Sequence, residues 1–399
     1  MKLKWYLAER LLVALQKKAD LSDLTAGESQ ELDFTAYGKY EVTVNFLKDD
    51  KKVNSFVSSF GVVADEYNIA TLCGTMPALL FSLQTPKIAT DSSPAMVLLE
   101  RPAAYNWDNL PSNVYPMPTL TEEEIQTGSA TGGVSTQLFQ QRASMVADYV
   151  ADLYEISPDA KFNLYTADYF PGLIQKIIYA NKIPESQYSI HLLSDGSYSA
   201  YCFNDTYSGD NGQQIHDAIC SKWEKDKQYC YENGKVPSDY SVKDSSTSMR
   251  AYAVLTVEDS RCEWDLVRKD LLTSGGKDFS SKAQSAVTQL SIASLLTELQ
   301  QSGNDVVQAF KRLYNFNDEY FAEAEKQGKQ VMLLLGAKVT SEENFEDYAR
   351  LTELYYGNDN YLYYYKGHPG TPTDFYPQKQ DELKELGITD VDSSIAAEL

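Results

Sequence analysis

KFNLYTADYFPGLIQKIIYANKIPESQYSIHLLSDGSYSAY, Lys161 to Tyr201, is the stretch that decides the fold. Its opening, KFNLYTAD, is short and rich in β-formers and reads as a strand. YFPGLIQKIIYANKI carries apolar residues at helical spacing. YSIHLLSD reads as a second strand, with a turn at Gly196-Ser197. A strand–helix–strand unit implies a parallel sheet, since parallel neighbours need a long crossover between them.

A second unit of the same kind starts near Lys329. KQVMLLLGA reads as a buried strand ending in glycine. SEENFEDYARLTELYYG reads as a helix with Ser341 as N-cap and acidic residues in its first turn, where they suit the dipole. NYLYYYKGHP is the next strand, and QKQDELKELGI a short polar helix ending at Gly387. DVDSSIAAEL opens a further helix capped by Asp392 or Ser393. Two βαβ runs separated by a helical segment predict an α/β protein of two Rossmann-like domains facing a cleft. The expected division is 1–325 for the first and 326–399 for the start of the second. Ligands of such sheets bind beyond the carboxyl ends of the strands.

The remaining segments are read more coarsely. MKLKWYLAERLLVALQKK is apolar at helical spacing and predicts an amphipathic helix packed on a core, with at most peripheral membrane contact. It has no small-residue cleavage site and is interrupted by Glu9 and Arg10, unlike a signal peptide or a span. YGKYEVTVNFL alternates as a strand, and residues 54–84 mix helix and strand. Residues 91–133 read as a loop-rich excursion. STQLFQQRASMVADYVADLYEI reads as a helix, residues 204–250 as polar and irregular, and the second half of 251–325 as helical.

Composition excludes some functions. The 399 residues exceed what one core usually serves. The net charge of −22 argues against general binding to nucleic acid or anionic membrane, which needs a basic face. A small anionic substrate stays compatible with a locally positive site. The five cysteines form no CxxC pair, which argues against structural zinc or a disulfide framework and fits a reducing cytoplasm. Three histidines are too few for a catalytic zinc site with its supporting groups, and no metal or cofactor is expected. The nucleotide-binding, HExxH and GxSxG patterns are absent.

Two strand ends carry the candidate chemistry. Asp195-Gly196-Ser197 follows YSIHLL. A carboxylate there suits proton abstraction from a hydroxyl, and glycine permits a tight turn. The same residues also fit a plain Asp-Gly turn. Lys366-Gly367-His368-Pro369 follows NYLYYY; an ammonium and an imidazole there suit a phosphate, while a solvated turn histidine is the alternative. Gly336 and Lys338, after VMLLL, would admit a nucleotide. Asp168 and Tyr169, at the end of KFNLYT, face the same edge as Asp195. His191 lies within its strand and reads as structural.

YSIHLLSDGSYSAY followed by YLYYYKGHPG resembles the bacterial sialyltransferases of glycosyltransferase family 80, over roughly 150–205 and 328–399. The resemblance implies a GT-B fold and metal-independent, inverting transfer of sialic acid from CMP-sialic acid to a glycan hydroxyl. It implies that Asp195 is the general base and that His368, with Lys366, Gly367 and Pro369, contacts the CMP phosphate. Glu398 matches the family glutamate that holds the ribose. Two departures stand out. Ser194 replaces the first acid of the family's acidic pair, and the family's phosphate-binding serines are expected beyond Leu399, as in a C-terminally truncated enzyme. The partners implied are a nucleotide-sugar donor and a glycan acceptor, with the enzyme in the cytoplasm or peripheral at the inner membrane face. A GT-B transferase using another nucleotide sugar and a non-catalytic glycan- or nucleotide-binding relative remain open.

Overall fold

The computed structural model describes residues 2–9, 18–20, 37–48, 51–100, 105–117, 136–168, 170, 172–240, 261–335, 345–367, 381 and 383–391. The chain divides into two compact units, with the seam at Leu296/Thr297 and with Glu100–Pro111 joining the second unit.

The first unit begins with an antiparallel sheet of β1 (Lys2–Glu9), β2 (Lys18–Asp20), β3 (Gly38–Lys48) and β4 (Lys51–Val62), in the order β2-β1-β3-β4. The expected N-terminal helix is therefore corrected over Lys2–Glu9. Eight consecutive residues pair with β3, from Lys2↔Leu47 to Glu9↔Tyr40. The segment's apolar residues fit a helical or a strand period over so short a run, and pairing with β3 decides.

A seven-stranded parallel sheet follows: β5 (Glu66–Leu72), β6 (Ala95–Leu99), β7 (Val114–Pro116), β8 (Lys161–Ala167), β9 (Tyr188–Leu193), β10 (Cys262–Leu266) and β11 (Thr288–Gln289). Its order is β11-β10-β9-β8-β5-β6-β7. Strand order reverses between β5 and β8, the switch point at which doubly wound sheets open a crevice. Helices α1 (Thr75–Ile88), α2 (Thr136–Ile156), α3 (Gly172–Ile174, running on as a π turn over Gln175–Tyr179), α4 (Ser197–Thr206), α5 (Gly212–Asn233) and α6 (Lys277–Ala286) belong to the same unit. The core is Tyr67, Ile69, Phe81, Phe162, Leu164, Ile190, Leu192 and Trp264, all at most 1% exposed.

Three coarse readings of this unit are corrected. The 91–133 excursion contains β6 and β7. Ala95–Leu99 is a buried run of five residues, too short to show a period. The 204–250 stretch contains α5, whose buried positions are Gly212, His216, Lys227 and Cys230. They recur at helical spacing but are not conventional apolar residues, so the hydrophobic signal is weak. The CEWDL strand β10 went unread. Asn204 of the sequon-like Asn204-Asp205-Thr206 is structural: its amide donates to the Leu271 carbonyl and accepts from the Thr273 and Ser274 N–H groups.

The second unit is built around β12 (Gln330–Leu335), β13 (Tyr361–Lys366) and β14 (Thr389–Val391), parallel in that order. Seam-crossing α7 (Ile292–Gln301) leads into α8 (Asn304–Leu313), and α9 (Ala322–Gln327) and α10 (Phe345–Tyr356) follow. The aromatic run of β13 is a strand packed on both faces. Tyr363 and Tyr365 join Leu334, Ala349, Leu383 and Ile388, while Tyr364 turns the other way to Ala324 and Val391. The two-period of a strand explains a YYY run buried on both sides.

No helix among the described residues is long and apolar enough to cross a membrane.

Candidate active site

The site is built at the carboxyl edge of the seven-stranded sheet, beside the switch point. Asp168 follows β8 directly, and its N–H donates to the Leu193 carbonyl at 3.0 Å. The side chain is 5% exposed. Trp264 Nε1 on β10 donates to Asp168 Oδ2 at 2.9 Å, and the Ser199 side chain of α4 also hydrogen-bonds the carboxyl group. Desolvation pushes the Asp168 carboxyl up to about 7; the Ser199 and Trp264 bonds pull it back, and the charge of Asp195 adds to the rise.

Asp195 is half-buried in the turn between β9 and α4. Its N–H donates to Ser199 Oγ at 3.0 Å, and its carbonyl accepts from the Tyr198 N–H at 3.2 Å. Gly196 holds φ 59° and ψ −135°. Nothing lies within 4 Å of where a Cβ would stand, so backbone conformation rather than crowding selects glycine. Ser197, exposed, starts α4. The structure thus brings Asp168, Asp195, Gly196 and Ser197 to one edge.

Ser194 is fully buried, and its Oγ has no hydrogen-bond partner among the described residues. A carboxylate that found no donor there among the described residues would cost far more to bury than a hydroxyl. The second carboxylate at this edge comes instead from Asp168 on the neighbouring strand. The hydroxyls of Thr71 and Thr166, opposite each other across β5 and β8, are also buried without a partner among the described residues.

Asp265, next to Trp264, points to the opposite sheet face. It is 3% exposed, and burial together with the charge of Glu263 pushes its carboxyl up to about 7, offset in part by His191. A polar ladder crosses that face. Ser189 Oγ donates to Asn163 Oδ1 at 2.6 Å, and His191 Nδ1 lies 3.4 Å from Glu263 Oε2. Thr288 Oγ1 donates to Glu263 Oε1 at 2.6 Å. His191 also stacks on Tyr165, with ring centroids 4.4 Å apart. The hydrogen bond from His191, then that from Thr288, pull the Glu263 carboxyl down to about 2 against burial. His191 is thus a structural member of the sheet.

In the second unit, Lys366 ends β13 and is 5% exposed; its Nζ donates to the Gly367 carbonyl at 3.0 Å. His368, Pro369, Gly336, Lys338, Glu398, Tyr169 and the expected caps Ser341, Asp392 and Ser393 lie outside the described residues. No cluster of three metal-ligating side chains occurs among the described residues.

Sequence reading did not single out Ser199, Trp264 or Asp265. Ser199 follows Asp195 by four positions, the spacing of a side chain folding back onto a helix N-terminus. Trp264 and Asp265 sit in a strand that the sequence reading did not find.

No known family profile matches the chain, and no curated protein matches it in sequence. Solved structures similar in fold include three bacterial sialyltransferases. The alpha/beta-galactoside alpha-2,3-sialyltransferase of the luminous marine bacterium Photobacterium phosphoreum aligns with a TM-score of 0.55 at 11% identity, over 84% of this chain and 82% of that one. The 2,6-sialyltransferase of the Vibrionaceae member Photobacterium sp. JT-ISH-224, solved with CMP and lactose, aligns with a TM-score of 0.53 at 13% identity, over 99% and 77%. The sialyltransferase of Photobacterium damsela aligns with a TM-score of 0.55 at 15% identity, over 99% and 79%. The chain is an α/β protein with parallel sheets in a fold similar to that of these bacterial enzymes.

Proposed function

We propose that the chain is a GT-B glycosyltransferase of the sialyltransferase type, moving sialic acid from CMP-sialic acid to a glycan hydroxyl with inversion. The carrying observation is the position of Asp195, on a glycine turn at the carboxyl edge of a sheet whose fold is similar to that of three sialyltransferases. One of those enzymes was solved with CMP and lactose, the donor product and an acceptor.

In this reading the Asp195 carboxylate takes the proton of the acceptor hydroxyl as that oxygen bonds to the anomeric carbon. The bond from that carbon to the CMP phosphate breaks, and the departing charge is met by Lys366 and His368. Gly336, Lys338, Gly367, Pro369 and Glu398 belong to the donor side; Asp168, Tyr169, Gly196 and Ser197 belong to the acceptor side. The proposal divides the chain into an acceptor domain, 1–325, and a nucleotide domain from 326.

Thermal unfolding with CMP, UDP and GDP tests the donor. CMP is expected to raise the melting temperature; a rise with UDP or GDP alone points to another nucleotide sugar. Asp195→Ala is expected to cut transfer by about 100-fold or more, the usual weight of a general base. Equal turnover would remove Asp195 from the chemistry. His368→Ala is expected to weaken CMP binding, and unchanged affinity would overturn the phosphate role.

A further inference from the structure

We propose that Ser199 and Asp168 are positioning residues for Asp195, locking the turn that carries it at the carboxyl edge of the sheet. This deepens the transferase reading and rests on it for the catalytic role of Asp195. Ser199 is buried at 4% exposure in the first turn of α4, and its hydroxyl has two partners. It accepts the Asp195 N–H at 3.0 Å and hydrogen-bonds the Asp168 carboxyl. An ionised Asp168 accepts only, so the hydroxyl proton points to it and leaves a lone pair for the Asp195 amide. The other end of the chain is fixed by Trp264 Nε1 on Asp168 Oδ2 at 2.9 Å. Strands β8 and β10 thereby set the position of a turn that belongs to β9.

The arrangement has a pH consequence. The groups that bear on the Asp168 carboxyl are Ser199 and Asp195 from the β9–α4 segment and Trp264 from β10. Asp168 carries its proton up to about pH 7. Below that the protonated carboxyl can itself donate, and the Ser199 hydroxyl is no longer obliged to point its proton at Asp168. Above it, the order described here is enforced.

The test uses the full chain with Ser199→Ala, Ser199→Thr and Asp168→Asn, read in two ways. Hydrogen exchange of the segment holding the Asp195 amide needs no turnover. Ser199→Ala and Asp168→Asn are expected to speed exchange at that amide by about tenfold at pH 8, and Ser199→Thr to restore it. In transfer assays Ser199→Ala is expected to lower kcat tenfold or more with the donor KM within twofold. It is also expected to erase an acidic limb centred near pH 7. Exchange unchanged in both Ser199→Ala and Asp168→Asn overturns the positioning role even if the enzyme transfers sialic acid. A wild type with no transfer but the expected exchange pattern overturns the transferase reading and leaves the lock standing.

Discussion

The two parallel sheets end their strands in opposite charge. At the edge of the seven-stranded sheet a carboxylate, Asp168, is buried under an indole and a hydroxyl. At the edge of the three-stranded sheet an ammonium, Lys366, is buried against the carbonyl of the next residue. The sheets also differ in cover. Every residue of β6 is buried, whereas β12 leaves Val331 and Leu335 at 38% and 54% exposure, and α10 leaves Leu354 and Tyr355 at 82% each. Where the sheet is buried it can desolvate a carboxylate and supply a fixed donor from a neighbouring strand. In the smaller sheet the Lys366 ammonium donates to the carbonyl of the next residue.

Three substitutions, the first paired with a control, put this contrast at risk. The largest effect is expected from Trp264→Ala, which empties a fully buried site and strips a donor from Asp168. Unfolding in denaturant should show a loss of about 3–5 kcal/mol. Leu354→Ala, on the exposed face of α10, is the matched control and should stay within about 0.5 kcal/mol. Equal losses would erase the difference in cover.

Asp265→Asn comes next and works through pH. Burial raises the folded pKa of Asp265 to about 7, above its unfolded value. Below about pH 4 both states hold the proton and the group costs nothing. Between about pH 4 and 7 the unfolded chain releases it while the folded chain retains it, so stability falls as pH rises. Above about 7 the full penalty is present. The variant should therefore match wild type at pH 4 and exceed it by about 2–4 kcal/mol at pH 8, read from paired denaturant curves. A gain independent of pH would show that desolvation is not the cause.

Gly196→Ala gives the smallest loss, about 1–2 kcal/mol, because a Cβ is strained in its left-handed backbone although the space is open. A neutral result would mean that the turn relaxes without harm to the fold.

The sequence made the strand–helix–strand core legible because Phe162–Ala167, Ile190–Leu193 and Tyr361–Lys366 carry strong β-propensity between clear breaks. It also placed Asp168, Asp195 and Lys366 at strand ends, since position along a strand follows from its bounds. Helix α5 stayed hidden because it buries His216, Lys227 and Cys230 rather than an aliphatic stripe. Strand β1 was misread because an eight-residue run does not separate the two periods until a partner strand is present. The Ser199–Asp168 contact was beyond reach for another reason. It joins the first turn of α4 to the end of β8 through tertiary packing, and nothing local to DGSYSAY names a carboxylate 31 positions upstream (199 to 168) as the partner.

The switch point has a consequence for how the molecule comes into being. Strands β8 and β9 pair residues 26 positions apart, Leu164 with Ile190, whereas β5 and β8 pair residues 95 apart, Ile69 with Leu164. Closing the longer loop costs about 1 kcal/mol more in chain entropy, and non-local parallel pairing is slow. The turn bearing Asp195 can therefore meet its neighbour β8 early in folding. On refolding from the unfolded chain, the two carboxylate-bearing strand ends can therefore come together before β5 completes the switch point beside them.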